Sequence, residues 1–508
     1  MTQREEKRIL FMRPPYTRLK KLGQAPYFPL GIGYLTAVLN NLDGVQARLY
    51  YPENPSPQEK NFIIDKRSVF NARSYSQKLY FEALEQESHP VWLEIQSVLR
   101  EYKPHILGLS VLTPETGSAL KITRLVKELL PETTVVWGGV HPSFTADQTI
   151  SYPGVDYIVI GEGEETFKEF VSVWPEKSIM ASIPGVISKN TQDRNIFCKT
   201  QLIRDLDSIP FPARDHTMFP HRFSPVALGS LMHSRGCPWR CGFCSSRQFW
   251  QERVRFRKPE YVTEEIKKII ADYGIRIFTF WDDAFTADRF MTEQLCECIL
   301  KIKTKIAWRT ATRIDLLDDS MLKLMKRAGC VQLELGIETG SPRMLDIIRK
   351  DINLDDASKA IDRVHKHGMA CGVFFMAGFP DETREDLLET FNFMQKIKPA
   401  EIVLNIFDPM PGSEQFERAV ALDLLPRQPD YAHFQLWPDA HYVANIKPGE
   451  FNSIVEKMSH YVFEYNSSRA ALIRRAKPEI VQLLRTDRKV LFQKSMRFLK
   501  HHFFGSSK

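Results

Sequence analysis

Three cysteines are crowded into one short segment of the sequence. Cys237, Cys241 and Cys244 follow one another with a C-x-x-x-C-x-x-C spacing. Thiolates are soft ligands that suit iron, and three of them on one loop can each bind a different corner of a cubane cluster. One iron is then left without a protein ligand, and an open coordination position distinguishes catalytic from structural metal sites. The spacing therefore predicts a catalytic [4Fe–4S] cluster.

The remaining cysteines do not extend this site. No cysteine precedes Cys198, and such an uneven distribution is unlike a disulfide framework. Five cysteines stand singly or in apolar segments, which is typical of small buried side chains: Cys198, Cys296, Cys298, Cys330 and Cys371. The alternative for the crowded segment is a zinc loop that takes a fourth ligand from elsewhere, such as His233.

The cysteine segment follows the first of six strand-like segments that alternate with helical ones. These six segments are 228–234, 275–281, 306–313, 331–336, 370–376 and 402–407. Six βα repeats are too few for an eightfold barrel, so the pattern predicts a partial barrel. Ligands of such barrels gather at the carboxyl ends of the strands. Polar residues that the sequence places there include Arg313, Glu338, Thr339 and Ser341.

An earlier block of the chain also alternates strand-like and helical segments. Apolar runs that are typical of buried parallel strands occur at 9–12, 106–111, 134–137 and 156–160. This is a doubly wound α/β layout. Ser110, Leu112 and Thr113 close one strand, whereas Gly138 and Gly139 close the next. Small hydroxyl residues and paired glycines at strand ends let a large planar ligand approach the backbone closely.

The cysteine spacing, the aromatic residue before the last cysteine and the strand context resemble the radical S-adenosylmethionine (SAM) superfamily. The resemblance implies that the open iron chelates SAM, and that one-electron transfer cleaves the sulfonium bond to give a 5′-deoxyadenosyl radical. By position, Phe243 is implied to lie beside the adenine, and Arg313 to bind the SAM carboxylate. Glu338, Thr339 and Ser341 resemble the family's ribose-contact motif. An external electron donor of the flavodoxin or ferredoxin type is implied as well.

The first block resembles the cobalamin-binding domain that some radical SAM enzymes carry. The Ser-x-Leu motif of Ser110 and Leu112 and the paired Gly138 and Gly139 match that domain in order and separation. Cobalamin is therefore implied as a further cofactor. The Asp-x-His-x-x-Gly motif that supplies a lower histidine ligand to cobalt is absent, because the loop at 13–18 reads Arg-Pro-Pro-Tyr-Thr-Arg. Axial histidine ligation by this loop is not expected, and a related domain that no longer binds a corrinoid is the alternative.

Together these blocks predict an α/β chain of three parts. A Rossmann-like doubly wound cobalamin-binding domain covers 1–195, a linker and a partial (β/α)6 radical SAM barrel cover 196–424, and a helical region covers 425–508. The formal charge of +7 is modest for 508 residues, so nucleic acid is not an expected partner. The polar amino terminus and the lack of a long apolar stretch predict a cytoplasmic protein. The basic, aromatic stretch 485–500 can either contact the inner membrane face or pack back on the barrel.

The combined cofactors imply radical chemistry at an unactivated carbon of a small-molecule or lipid substrate. C-methylation is the predicted reaction, because methylcobalamin can donate a methyl group to a substrate radical. Cyclisation, ring rearrangement or oxidation without methyl transfer is an alternative, and a non-catalytic corrinoid-binding protein is another. A methylthiotransferase that acts on tRNA would carry further cluster cysteines in its first domain, and none occurs before Cys198.

Overall fold

The computed structural model describes residues 6–21, 27–54, 69–190, 201–434 and 441–486. Two six-stranded sheets organise this part of the chain, and a separate two-stranded ribbon accompanies the second sheet. Each large sheet takes its strands from one continuous part of the chain, as the sequence predicts. In these described residues, no helix is both long and apolar enough to cross a membrane.

The first sheet has the strand order β2-β1-β3-β4-β5-β6. Its strands are β1 (Lys7–Met12), β2 (Val45–Tyr50), β3 (Ile106–Ser110), β4 (Thr134–Gly138), β5 (Tyr157–Val159) and β6 (Val186–Ser188). Strands β1 to β5 pair in parallel, and β6 runs antiparallel to β5. Successive residues of β1, from Ile9 to Met12, are all buried because helices cover both faces of the sheet. The predicted doubly wound layout is confirmed.

The helices around this sheet are α1 (Leu30–Leu39), α2 (Val69–Glu85), α3 (Pro90–Tyr102), α4 (Thr116–Leu129), α5 (Val140–Phe144), α6 (Ala146–Ser151), α7 (Glu164–Val173) and α8 (Lys177–Met180). Helix α2 lies in the segment 52–90, to which the sequence pattern assigns no element. The pattern also misses β2 and β6. Strand β2 lies at an edge of the sheet and mixes Gln46 and Arg48 with apolar residues, whereas β6 has only three residues.

The second sheet has the order β14-β13-β12-β11-β10-β7, and all its strands are parallel. Its strands are β7 (Ser230–Leu231), β10 (Ile277–Phe280), β11 (Ala307–Thr312), β12 (Cys330–Glu338), β13 (Ala370–Ala377) and β14 (Glu401–Ile406). They match the six predicted strands, so the partial barrel is confirmed. Two short strands, β8 (Ser234–Arg235) and β9 (Arg255–Phe256), form the antiparallel ribbon that flanks the cysteine segment.

Helices connect the barrel strands, and therefore the loops that follow the strands open at one common edge. The helices are α9 (Pro225–Leu228), α10 (Ser246–Phe249), α11 (Pro259–Tyr273), α12 (Arg289–Leu300), α13 (Asp319–Arg327), α14 (Pro342–Ile347), α15 (Leu354–Lys366), α16 (Arg384–Lys396) and α17 (Glu414–Ala421). The Asp318 side chain caps α13 by accepting from Met321 N at 2.8 Å, so this helix begins at an acidic residue.

Two long helices, α18 (Pro448–Ser467) and α19 (Arg469–Thr486), close the amino-terminal end of the barrel. The Asn466 side chain bonds both backbone groups of Ile402, at 3.0 and 2.7 Å, and Gln482 donates to Ile306 O at 2.7 Å. These backbone groups lie where strands begin, so the helices sit opposite to the edge where ligands are predicted. The side chains of the basic stretch 485–500 lie outside the described residues.

The segment that connects the two sheets is bonded to both of them. Leu49 N donates to His216 O at 3.0 Å, and Met218 N donates to Leu49 O at 2.8 Å, so this segment pairs with the edge strand β2. Arg214 of the same segment donates to Ser230 O in β7 at 2.6 Å and also forms a buried ion pair of 2.8 Å with Glu265 in α11. The chain thus crosses the first sheet from β6 to β2 before it enters the barrel.

Candidate active site

The cysteine segment forms a loop between β8 and α10. Gly242 holds its backbone in place, because its N–H donates to Ile348 O at 2.8 Å and its carbonyl accepts from Gln415 N at 2.9 Å. Gly236 has a φ of +103°, and a Cβ there would lie 2.0 Å from Arg253 O. Only glycine fits this position. Gly236 therefore sets the direction in which the loop leaves β8.

The three predicted cluster ligands are brought together on this loop. Cys237 and Cys241 are half-buried, and Cys244 is exposed. Burial raises the pKa of Cys237, and the Cys241 thiol raises that pKa further. Burial also raises the pKa of Cys241, whereas the positive charges of Lys350 and Arg313 lower it. The thiols influence one another's ionisation, and binding of a cluster must displace their protons.

The zinc alternative finds no support in the geometry. The His233 ring is fully buried against Phe256 and Phe285, and neither ring nitrogen has a hydrogen-bond partner. Burial lowers the pKa of His233 to about 3. Across the described ranges, no three His, Cys, Asp or Glu side chains form a group that could hold a metal ion. A cubane does not need ligands that converge on one ion, because each cysteine binds a different iron.

Arg313 follows β11 and contacts the cysteine loop. Its guanidinium forms paired hydrogen bonds with Asp315 at 2.9 and 3.1 Å and donates to the Lys350 carbonyl oxygen at 2.9 Å. The guanidinium carbon lies 4.8 Å from the Trp239 ring centroid, and Nη1 lies 3.9 Å from Cys241 Sγ. These contacts join the loop after β11, the turn around Lys350 and the cysteine loop. The predicted contact between Arg313 and the SAM carboxylate stays a prediction.

Lys350 is a site residue that the sequence does not reveal. It is 6% exposed, and its Nζ lies 2.7 Å from Glu338 Oε1 and 5.7 Å from the Phe243 ring centroid. Arg349, Asp351 and Glu338 have φ values of +51°, +50° and +75°. Residues other than glycine that are held in this region cluster at functional sites. Lys350 stands in an ordinary Arg-Lys-Asp run between two helices, which carries no sequence signal.

Thr339 and Ser341 lie in the turn after β12, and both are fully buried. Thr339 Oγ1 is 2.9 Å from Thr390 Oγ1, whereas Ser341 Oγ donates to Asp386 at 2.6 Å and also caps α14. Because both hydroxyls are engaged inside the fold, they shape the turn that follows Glu338. Of the three predicted ribose contacts, Glu338 is the one that Lys350 links to the cysteine loop.

A cavity of about 260 Å³ lies at the carboxyl edge of the first sheet. Gly108, Ser110, Gly138 and Gly139 contribute to its wall. Gly139 has a φ of +99°, and a Cβ there would lie 3.1 Å from the Val111 backbone. The barrel half of the chain also lines this cavity, through Met232, Arg235, Phe249 and Trp250. The predicted corrinoid site is therefore a cavity rich in glycine that both halves of the chain enclose.

A second cavity of about 290 Å³ continues the first one toward the barrel. The two cavities share the wall residues Gly31, Ile32, Ser110 and Met232. Arg13, in the loop after β1, borders the second cavity and pairs with Glu115 at 2.7 Å. Trp281, just after β10, is 41% exposed and packs edge-on against Tyr27 with ring centroids 5.6 Å apart. The two cavities form one cleft that runs from Gly139 to Trp281.

The predicted residues Leu112 and Thr113 do not line either cavity. Thr113 Oγ1 lies 3.2 Å from Nδ1 of the buried His141, and Thr145 Oγ1 lies 3.2 Å from Nε2 of the same ring. Burial lowers the pKa of His141 to about 3. Both ring nitrogens of His141 are thus engaged inside the fold, and this histidine does not stand in for the missing axial motif.

A larger, open cleft of about 850 Å³ lies at the opposite edge of the first sheet. Its walls include Arg8, Lys103, Lys127 and Lys177. Neither the cysteine loop nor the Gly138–Gly139 pair contributes to it. Its size alone therefore does not make it the active site.

Two family models match the chain: the radical SAM superfamily over residues 231–394 and a B12 binding domain over residues 79–171. An uncharacterized methyltransferase of Pyrococcus horikoshii is 33% identical over 337 residues, which cover 65% of this chain and 73% of that protein. The chain belongs to the radical SAM enzymes that carry a B12-binding domain. Its cofactors are a [4Fe–4S] cluster, SAM and cobalamin, as the sequence predicts.

Two further comparisons place this radical SAM enzyme among its relatives. An anaerobic magnesium-protoporphyrin IX monomethyl ester cyclase of Rubrivivax gelatinosus is 27% identical, over 64% of this chain and 60% of that protein. The structure of TsrM from Kitasatospora setae, a radical SAM methyltransferase with cobalamin and a [4Fe–4S] cluster bound, matches with a TM-score of 0.61. That match has 17% sequence identity and covers 84% of this chain and 76% of TsrM, so it shows a shared fold.

The residues of this radical SAM enzyme fit both metal cofactors. Cys237, Cys241 and Cys244 place three thiol groups on one loop, and once deprotonated these would suit a cubane with one open iron. The walls at Gly138 and Gly139 lack side chains, so a bulky group can lie against the backbone there.

Proposed function

We propose that this enzyme transfers a methyl group to an unactivated carbon of a small molecule. The observation that carries the proposal is the cleft from Gly139 to Trp281, which joins the corrinoid cavity to the barrel. When bound, the cofactors supply a radical that abstracts hydrogen and a methyl group that can be transferred. A single cleft that reaches both halves of the chain would let one substrate carbon meet both.

The chain's own residues position and enclose the reactants. Arg313 holds the turn around Lys350 next to the cysteine loop, and Lys350 in turn holds the Glu338 carboxylate at the end of β12. We expect this carboxylate to orient SAM. Tyr27 and Trp281 pack against each other in the wall of the cleft, and their apolar rings would help to exclude water from a site where a radical must persist.

Two relatives support methyl transfer. The Pyrococcus protein and TsrM are both named methyltransferases, whereas the Rubrivivax relative is named a cyclase. A reaction at the same site without methyl transfer is therefore the second candidate.

The substrate could also be a lipid that the enzyme takes up at a membrane surface. Co-sedimentation of the full-length protein with anionic vesicles tests this idea.

The external electron donor is expected to be of the flavodoxin or ferredoxin type. Arg240, on the cysteine loop, and Arg253, which contacts Gly236, are both exposed. An acidic donor would be attracted to this side of the loop, and attraction between charged surfaces mainly accelerates encounter. Exchange of both arginines for glutamine should therefore slow cluster reduction by such a donor but not by dithionite.

Methyl transfer can be tested without knowing the substrate. The full-length enzyme is loaded anaerobically with iron, sulfide and hydroxocobalamin, reduced, and supplied with SAM that carries a deuterated methyl group. Labelled methylcobalamin together with S-adenosylhomocysteine would support the proposal. Formation of 5′-deoxyadenosine with unlabelled corrinoid would instead favour the second candidate. A parallel sample without hydroxocobalamin is the matched control.

A further inference from the structure

A buried network of charges joins the cysteine loop to the first half of the chain. Arg235, two residues before Cys237, pairs with Glu162 and with Glu164, each at 2.6 Å. Arg255 also pairs with Glu162 at 2.6 Å. None of the four charged side chains is more than 10% exposed. Two positive and two negative charges thus balance inside the protein, where an unpaired charge is costly.

The same network borders the corrinoid cavity. Glu162, Glu164 and Arg235 line this cavity, together with Trp250. The Trp250 ring centroid lies 5.9 Å from the Arg235 guanidinium and 5.6 Å from that of Arg255. The two glutamates belong to the Gly-Glu-Gly-Glu segment 161–164 that follows β5. A group that enters the cavity therefore meets side chains that are bonded to the strand leading into the cysteine loop.

We propose that Arg235 is a positioning residue that couples corrinoid binding in the first domain to the geometry of the iron–sulfur cluster. Gly236 is the one residue between Arg235 and Cys237, and it is held from two sides: its N–H donates to Asp283 Oδ2 at 3.2 Å, and Arg253 O lies so close to its Cα that no Cβ would fit. A shift of Arg235 is thus passed on to Cys237. Such coupling is reciprocal: if corrinoid changes the cluster, the cluster changes corrinoid affinity. It does not depend on whether a methyl group is transferred.

The test uses the full-length enzyme and two readouts that do not involve turnover. One is the Mössbauer spectrum of the oxidised cluster with SAM, a state that does not cleave SAM, recorded with and without hydroxocobalamin, because this method detects iron and not cobalt. The other is the dissociation constant of hydroxocobalamin, measured with and without the cluster. In the wild-type enzyme we expect hydroxocobalamin to change the spectrum, and the cluster to tighten hydroxocobalamin binding by about 5-fold or more.

Variants of the network should remove this coupling in a graded way. In Arg235→Met both effects should vanish, and in Glu164→Gln both should be reduced. Arg235→Lys keeps the positive charge and should restore part of the coupling. The matched control is Lys127→Met, which breaks the Lys127–Asp156 pair at the opposite edge of the first sheet, where it borders neither the cavity nor the cysteine loop. This control should lower thermal stability and leave the coupling unchanged.

Several outcomes would overturn the proposal. They are an absence of coupling in the wild-type enzyme, full coupling in Arg235→Met, and loss of coupling in Lys127→Met. If Arg235→Met does not fold, Glu164→Gln decides the question, and unchanged coupling in that variant counts against the proposal. The labelled-methyl experiment is separate, so failure of methyl transfer and failure of the coupling can be told apart.

Discussion

The two large sheets prepare their ligand edges by opposite means. In the first sheet, side chains are missing where the corrinoid is expected to bind, because Gly138 and Gly139 leave the backbone bare. In the second sheet the corresponding edge is crowded with reactive and charged groups, such as Cys241, Arg313 and Lys350. A bulky planar cofactor needs space along a backbone, whereas a cluster needs ligands and charges around it. The first edge should therefore be sensitive to added side-chain volume, and the second to the loss of a cysteine ligand or a charge.

The largest effect should come from the loss of a thiolate at the second edge. In Cys241→Ala the formation of 5′-deoxyadenosine should fall to background, because two cysteines do not hold the cluster. Iron, sulfide and 5′-deoxyadenosine are measured in anaerobic preparations. The control Cys298→Ala changes a buried cysteine of α12 and should keep all three. Undiminished 5′-deoxyadenosine formation by Cys241→Ala would contradict the cluster assignment.

A smaller loss is expected when a charge at the same edge is removed. Lys350→Met leaves the buried Glu338 carboxylate without its partner, and breaking a buried pair in this way costs about 3–5 kcal/mol. Thermal melting should detect this destabilisation, and equilibrium binding should show weaker SAM affinity. The double variant Lys350→Met/Glu338→Gln removes both charges and should regain most of the stability but not the affinity. A double variant as unstable as the single one would argue against a role for the pair.

The first edge should respond to volume instead. Gly139→Ala places a Cβ 3.1 Å from the Val111 backbone, at a φ that favours glycine. Hydroxocobalamin affinity should fall by about tenfold, or about 1.4 kcal/mol, while the iron content is unchanged. The control Gly44→Ala lies in the same half at a φ of +72° with nothing within 4 Å, so it adds strain without filling the cavity. Equal hydroxocobalamin affinity in both variants would mean that the corrinoid lies elsewhere.

The smallest effect should be a change in how stability depends on pH. Glu382 in the barrel half is fully buried and accepts from Gly378 N, and burial raises its pKa from 4.5 to about 8. The native state therefore keeps a proton that the unfolded state loses above about pH 4.5, so stability falls as the pH rises toward 8. Glu382→Gln cannot ionise and should show a flatter decline. Melting curves of both proteins across this window are compared, and equal slopes would refute the assignment.

Much of this fold follows from local patterns in the sequence. All six barrel strands are predicted because each is an apolar run between loops, and β1 is predicted for the same reason. Strand β2 is missed because Gln46 and Arg48 interrupt its apolar run at a sheet edge. The three cluster cysteines are found because their spacing is itself the chemical requirement.

The rest of the site depends on contacts between residues that are distant in sequence. Arg235 and Glu162 are 73 residues apart, and no local pattern indicates that they pair. The motif around Glu338 predicts where the chain approaches the site, but not that the hydroxyls of Thr339 and Ser341 are buried. Burial and pairing of this kind depend on how the chain packs, so they cannot be predicted from local patterns in one sequence.

The pairing of the connecting segment with β2 determines where the chain can be divided. His216 and Met218 complete the backbone hydrogen bonds of Leu49. A fragment that ends at the predicted boundary, residue 195, would leave this edge of the sheet open, and open edges recruit strands from other chains. A fragment intended to carry the first domain alone, or to exchange it between relatives, should therefore extend beyond Met218.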